Sequence, residues 1–178
     1  GATPQIALAG KLSNKGDPDY PVELEIYDHG TGVIRTEYGW HRVSHFKISD
    51  STIAFDMDAQ HELPPNDLDL RILEHAAALL KNTDSWNRAD DRRCTLGAQR
   101  LSLYCAIVQA SFDITGGFHH RRPAAELVRT IVEDRSKGRS YHHRLMDYNN
   151  DPTTTLQDIQ AILTQAETQT RSALASTA

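Results

Sequence analysis

Apolar and polar positions alternate along the first third of the chain and recur at helical spacing along the rest. Val22, Leu24 and Ile26 alternate with Glu23 and Glu25, the period-2 signature of a half-buried strand. Asp28-His29-Gly30-Thr31-Gly32 has the composition of a turn, so Val33 to Tyr38 is predicted to return antiparallel. Gln5 to Leu12 is a further short apolar run, and Val43 to Ile48 and Ser51 to Met57 form a second pair across Ser49-Asp50. Such short connections favour a meander of three to five strands over parallel units, which need long crossovers.

Leu63-Pro64-Pro65 ends this pattern. Asn66 or Asp67 can cap a first helix whose apolar face is Leu68, Ile72, Leu73, Ala76, Leu79 and Leu80, with an exit at Lys81-Asn82. A polar loop carrying Trp86 follows. Asp90 or Asp91 can cap a second helix running to about Ala110, with Cys94, Ala98, Leu101, Cys105 and Val108 as its stripe. Gly97 then falls in mid-helix, where it reads as a site of close packing. Past Gly116-Gly117, Pro123 suits the first position of a third helix that buries Leu127, Val128, Ile131 and Val132. A short helical turn is expected over Tyr141 to Tyr148. Thr155 with Asp158 resembles a capping box before Leu156, Ile159, Ile162, Leu163 and Ala166, and the tail beyond Arg171 is expected to fray. The predicted fold class is α+β: an N-terminal antiparallel β-meander (residues 1–62) packed on a C-terminal bundle of about four helices (66–173) as one cooperative unit, because so small a sheet needs a cover.

Composition agrees with a globular chain and excludes wholesale disorder: 39% of the 178 residues are hydrophobic and 24% charged. No run approaches the ~18 apolar residues of a membrane span. The two cysteines are too few for a disulfide scaffold. In a continuous helix Cys94 and Cys105 would sit about 16 Å apart, beyond the reach of a bridge unless the helix broke between them. Two buried thiols are therefore expected. The opening Gly1-Ala2-Thr3-Pro4 lacks a Met and reads as a trimmed start or tag scar, and no signal-peptide core is visible. The compartment stays open, with the cytoplasm favoured over an exported mature chain.

Charge is uneven. Residues 1–65 carry the whole net charge of −5, while the remainder is neutral. Within that remainder, residues 117–144 hold seven Lys or Arg against three acidic residues, together with four of the nine histidines. Arg121, Arg122, Arg139, His142, His143 and Arg144 are the candidate binding residues, suited to an acidic protein partner or to the acidic sheet of a second copy in a homo-oligomer. Phosphate or nucleic-acid contact through residues 117–144, with Arg129, Arg135 and Lys137 contributing and Phe118 or Tyr141 stacking, is an alternative that the acidic sheet opposes. A second alternative is a hydrolase with Cys94 as nucleophile. Its thiol would be activated by Arg92-Arg93 and a helix start, with His119 or His120 as base. The pairs His119-His120 and His142-His143 are the densest candidate metal ligands, yet neighbouring side chains diverge and no His-Glu-x-x-His or Cys-x-x-Cys is present. Neither a metal nor a cofactor is expected. The reading favours a binding or assembly module over an enzyme.

Trp86, Cys94-Thr95-Leu96-Gly97-Ala98, and Tyr148-Asn149-Asn150-Asp151-Pro152 ahead of the Thr155 helix resemble an uncharacterised bacterial and phage domain family over roughly residues 68–168. That resemblance implies a helical layout and supplies no activity. Asn149, Asn150 and Asp151 are independently suited to bonding neighbouring backbone groups.

Overall fold

The period-2 segment becomes the middle of β2 (Asp17–Tyr27), one strand of an antiparallel sheet. The computed structural model describes residues 6–14, 17–36, 39–50, 52–58 and 61–177. Strands β1 (Ile6–Asn14), β2, β3 (Thr31–Thr36), β4 (Gly39–Ser49) and β5 (Thr52–Met57) pair in chain order, and a two-residue strand β6 (His61–Glu62) pairs with the start of β4. The expected strand ends at Gln5, Tyr38 and Ser51, and the opening Gly1–Pro4, lie outside the described residues. Leu24 faces Ile34 across β2 and β3, and Ile26, Gly32 and Val43 form the adjacent cross-strand row. These four apolar side chains are the buried core of the sheet unit. At Gly32 a Cβ would collide with the carbonyl of Glu25, so only glycine lets the strands approach there. The register of β4 slips between Ser44 and Lys47, with His45 at φ 54°, as in a β-bulge.

The chain divides into two compact units, Gly1–Leu63 and Pro64–Ala178, the second wholly helical in its regular elements. These are α1 (Asp67–Leu79), a 3-10 turn (Thr83–Ser85), α2 (Leu103–Thr115), α3 (Pro123–Arg135), α4 (Arg144–Asn150) and α5 (Leu156–Ser176). The architecture is thus α+β, an antiparallel sheet followed by five α-helices. Asn66 caps α1, and Thr155 with Asp158 forms the expected capping box of α5. Ile72, Leu73, Ile107, Val128, Ile131, Ile159, Ile162 and Leu163 make the centre of the helical core. The last helix continues past Arg171 to Ser176, so the expected fraying is corrected.

The larger correction concerns the second helix. It begins at Leu103, where the Ser102 hydroxyl accepts from the Cys105 amide, and not at Asp90 or Asp91. Those two carboxylates instead accept from the amides of Arg92 and Arg93 two residues on, at 2.6 and 2.9 Å, so they close local turns rather than cap a helix. Gly97 has φ 83° and open space around its Cα, which makes it a left-handed turn residue and not a packing notch. With the chain folded back between them, Cys94 and Cys105 come to a Cα separation of 5.2 Å and form a disulfide. The expectation of two buried thiols is overturned.

Candidate functional site

The irregular segment between Trp86 and Ser102 is fixed at both ends. Trp86 and Leu101 form an isolated bridge, with Asn87 N donating to Leu101 O and Leu101 N to Ser85 O, both at 2.9 Å. The side-chain oxygen of buried Asn149 accepts from Trp86 Nε1 at 2.8 Å and from Leu103 N at 3.0 Å, while its Nδ2 donates to Asn87 O at 3.0 Å. Its neighbour Asn150 accepts from Asp90 N and donates to Asp90 O, at 2.7 and 2.8 Å. One dipeptide at the end of α4 therefore meets the hydrogen-bonding needs of a loop some sixty residues earlier, which buried backbone requires. Arg88 adds hydrogen bonds to the carbonyls of Asp151, Pro152 and Thr154 and lies over the Trp86 ring. The tryptophan and the Asn-Asn pair thus have structural work, but the backbone that the asparagines bind is distant in sequence and not the neighbouring backbone expected.

What this frame holds up is a small, open cationic pocket lined by Arg92, Tyr104, Arg129, His143, Arg144, Leu145 and Met146. Arg92 comes from the loop, with its guanidinium 5.9 Å above the centre of the Tyr104 ring and its Nη1 3.4 Å from His143 Nδ1. An arginine only donates, so that contact uses the Nδ1 lone pair and an imidazole protonated at Nε2. Tyr104, in the first turn of α2, is steadied edge-on by Phe118 at 5.8 Å. Arg129 on α3 donates to His120 O and to Glu126, at 2.6 and 2.9 Å. Burial draws its pKa below the usual arginine range, opposed by the Glu126 charge and reinforced by Arg144 nearby. Arg144, the first residue of α4, pairs with Glu133 at 2.8 Å. Arg92 has no carboxylate partner for its side chain among the described residues, which leaves the pocket with an excess of positive charge. At about 70 Å³ the pocket is well below the usual size of ligand sites and has room for one small anionic group, not for an extended cofactor.

A family model described as Family of unknown function (DUF6197) matches residues 64–169, more than half of the chain and nearly all of the helical unit. The chain belongs to that family. No curated protein and no solved structure matches it. The DUF6197 segment contains the whole loop frame and every residue of the pocket, and it excludes the sheet.

Of the residues singled out from sequence, the structure gathers His143 and Arg144 into this DUF6197 pocket with Arg129. His142 packs edge-on against His143 outside the lining, with ring centres 4.6 Å apart. Arg139 is engaged elsewhere, donating to Tyr141 and Asp151. Arg121 is exposed, but Arg122 is not a surface residue: it is buried, with Nε 3.0 Å from the equally buried Asp69. Cys94 is oxidised and presents no thiol, so the nucleophile assigned to it is withdrawn, and His119 and His120 lose the partner that made them candidate bases. Among the described residues no three His, Cys, Asp or Glu side chains gather in a metal-sized group, and no helix is long and apolar enough to cross a membrane. Sequence reasoning noticed Arg92 only as a neighbour of Cys94 and gave Tyr104 no role. The signal that placed them was the Asp90-Asp91 pair, read as a helix cap when it closes two local turns.

Proposed function

We propose that the helical unit is a non-catalytic binding module that takes one oxyanionic group, of the phosphate or carboxylate type, between Arg92, Arg129, His143 and Arg144. The observation that carries this reading is the side chain of Arg92. It has no carboxylate partner among the described residues, yet it is held in place over Tyr104 and against His143, facing the other cations. Arg129 and Arg144 have Glu126 and Glu133 as counter-ions, but the Arg92 charge beside them has none among the described residues, and a bound anion would offset the repulsion it meets. Guanidinium groups present forked donors that match tetrahedral and planar oxyanions. An acidic partner would supply the group as a side-chain carboxylate or a phosphate ester.

Titration of the protein with inorganic phosphate, followed by amide and side-chain NMR shifts, tests this. Saturable shifts are expected at residues 92, 104, 129 and 143–146, weakening as salt is added. Arg92→Ala should lower affinity about tenfold to a hundredfold, the worth of one or two charge-assisted hydrogen bonds. Absence of saturable shifts at these positions, or equal affinity in the variant, would reject the pocket.

A further inference from the structure

The disulfide lies two residues beyond Arg92, and the segment it tethers has little else to hold it. Asp90 is clamped by Asn150 and Leu101 by its bridge to Trp86. Between them the main-chain hydrogen bonds are local turns, except that Gly97 N donates to Gln109 Oε1 at 2.7 Å. Apart from Cys105 Sγ against Arg93 O at 3.7 Å, the other long-range polar contact of residues 91–99 among the described residues is the one from Arg92 itself to His143.

Two features of this segment also resist the conformation it adopts. Arg92 sits at φ 63°, in the left-handed region that disfavours any residue with a Cβ. Asp90 is buried, and its Oδ2 has no hydrogen-bond partner among the described residues. A covalent tether is what such a segment needs. Resting on the reading of the pocket given above, the geometry points to Cys94–Cys105 as a redox latch on anion binding: oxidised, it holds Arg92 over Tyr104 and the pocket is complete; reduced, the segment relaxes, Arg92 withdraws and affinity falls.

The chemistry is a thiol–disulfide exchange driven by a thiol reductant. A reductant thiolate attacks Sγ of Cys94, the half-buried member of the pair, and the S–S bond breaks with its electrons leaving on Sγ of buried Cys105. Cys105 lies in the first turn of α2, where the positive end of the helix dipole favours a departing thiolate. A second reductant thiolate then displaces Cys94 from the mixed disulfide. Two electrons and two protons have entered the protein, and the reductant leaves as its own disulfide.

The test uses the full chain, oxidised and after treatment with dithiothreitol, together with the variant Cys94→Ser/Cys105→Ser. Inorganic phosphate is the probe, and amide hydrogen exchange is read at residues 91–100. Reduction should lower phosphate affinity at least fivefold and speed exchange across 91–100 while leaving α1, α3 and α5 protected. The double variant should behave as the reduced chain does, with or without reductant. Equal affinity in the two redox states overturns the latch and leaves the binding reading standing. Global loss of protection on reduction also overturns it, since the bond is then a staple of the fold. Failure of both states to bind phosphate rejects the pocket and the latch together.

Discussion

Two arginine-bearing corners of the helical unit are built in opposite ways. Where α1 meets α3, Arg122 Nε donates to Asp69 Oδ1 at 3.0 Å, the same oxygen accepts from Ala124 N at 3.1 Å, and Asp69 Oδ2 accepts from Asn66 N at 2.8 Å. One carboxylate thus joins the start of one helix to the start of another, and both charges are buried. Around Arg92 the pairing is incomplete: Arg129 and Arg144 hold Glu126 and Glu133, while the loop arginine has no carboxylate partner among the described residues. The same side chain is a structural fastener where it is paired one to one and desolvated, and in our proposal a binding group where it is in excess and reachable.

The sharpest way to break this contrast is to truncate both arginines. Arg122→Ala should destabilise the fold by about 3–5 kcal/mol, because it strands Asp69 as a buried charge without its cation. Arg92→Ala should change stability by less than about 1 kcal/mol, as exposed substitutions do. Urea denaturation of the two variants beside the parent reads both. Similar losses in the two would erase the distinction between fastener and binding group. Charge reversal at Arg121 and Arg122 together is expected to unfold the unit, since it places a carboxylate against Asp69.

This pair of corners also shows what could be read before the structure was known. The strands, the caps at Asn66 and Thr155, the Pro123 helix start and the apolar faces of α1, α3 and α5 were legible, except that Leu68, expected on the α1 face, is exposed; each rests on interactions between residues close in sequence. The arrangement around residues 86–105 was not. Its apolar spacing imitates a helix, and what prevents one is non-local: Asn149 and Asn150 binding the loop backbone, and Cys105 holding Cys94. The basic stretch 117–144 was recognised as a unit by its charge, but charge alone does not separate Arg122, turned inward to Asp69, from Arg129 and Arg144, turned toward Arg92.

Gly97 sharpens the account of that loop at intermediate cost. Its positive φ and the open space where a Cβ would sit imply that any L side chain is penalised through the backbone and not through a clash. Gly97→Ala and Gly97→Leu should therefore each cost about 1–2 kcal/mol, and by nearly the same amount. Thermal melts of the two compare them directly. A much larger loss for Leu would restore the packing role expected from a mid-helix glycine, whereas unchanged melting in both would show that the turn tolerates a side chain.

The smallest expected effect comes from a third arginine, Arg139, whose partner Asp151 lies between the two extremes. Thr153 donates to Asp151 Oδ1 through its hydroxyl at 2.7 Å and its amide at 2.9 Å, and Tyr141 OH and Arg139 donate to Oδ2 at 2.8 and 3.0 Å. These bonds lower the carboxyl pKa from 3.8 to about 2, the Thr153 hydroxyl and amide first, with Tyr141 and the Arg139 charge following. A depressed carboxylate contributes stability above its unfolded pKa and loses it as pH falls through the folded one. The contribution is therefore intact at neutral pH and disappears between about pH 4 and pH 2. Carbon-detected NMR titration of the Asp151 carboxyl should find the midpoint near the lower bound. Thr153→Val should raise it further than Arg139→Gln does, and added salt should move it little, since short hydrogen bonds outweigh the longer-range charge. A larger response to Arg139→Gln or to salt would place Arg139 with the pocket arginines, as a cation acting through its field rather than through the bonds it holds.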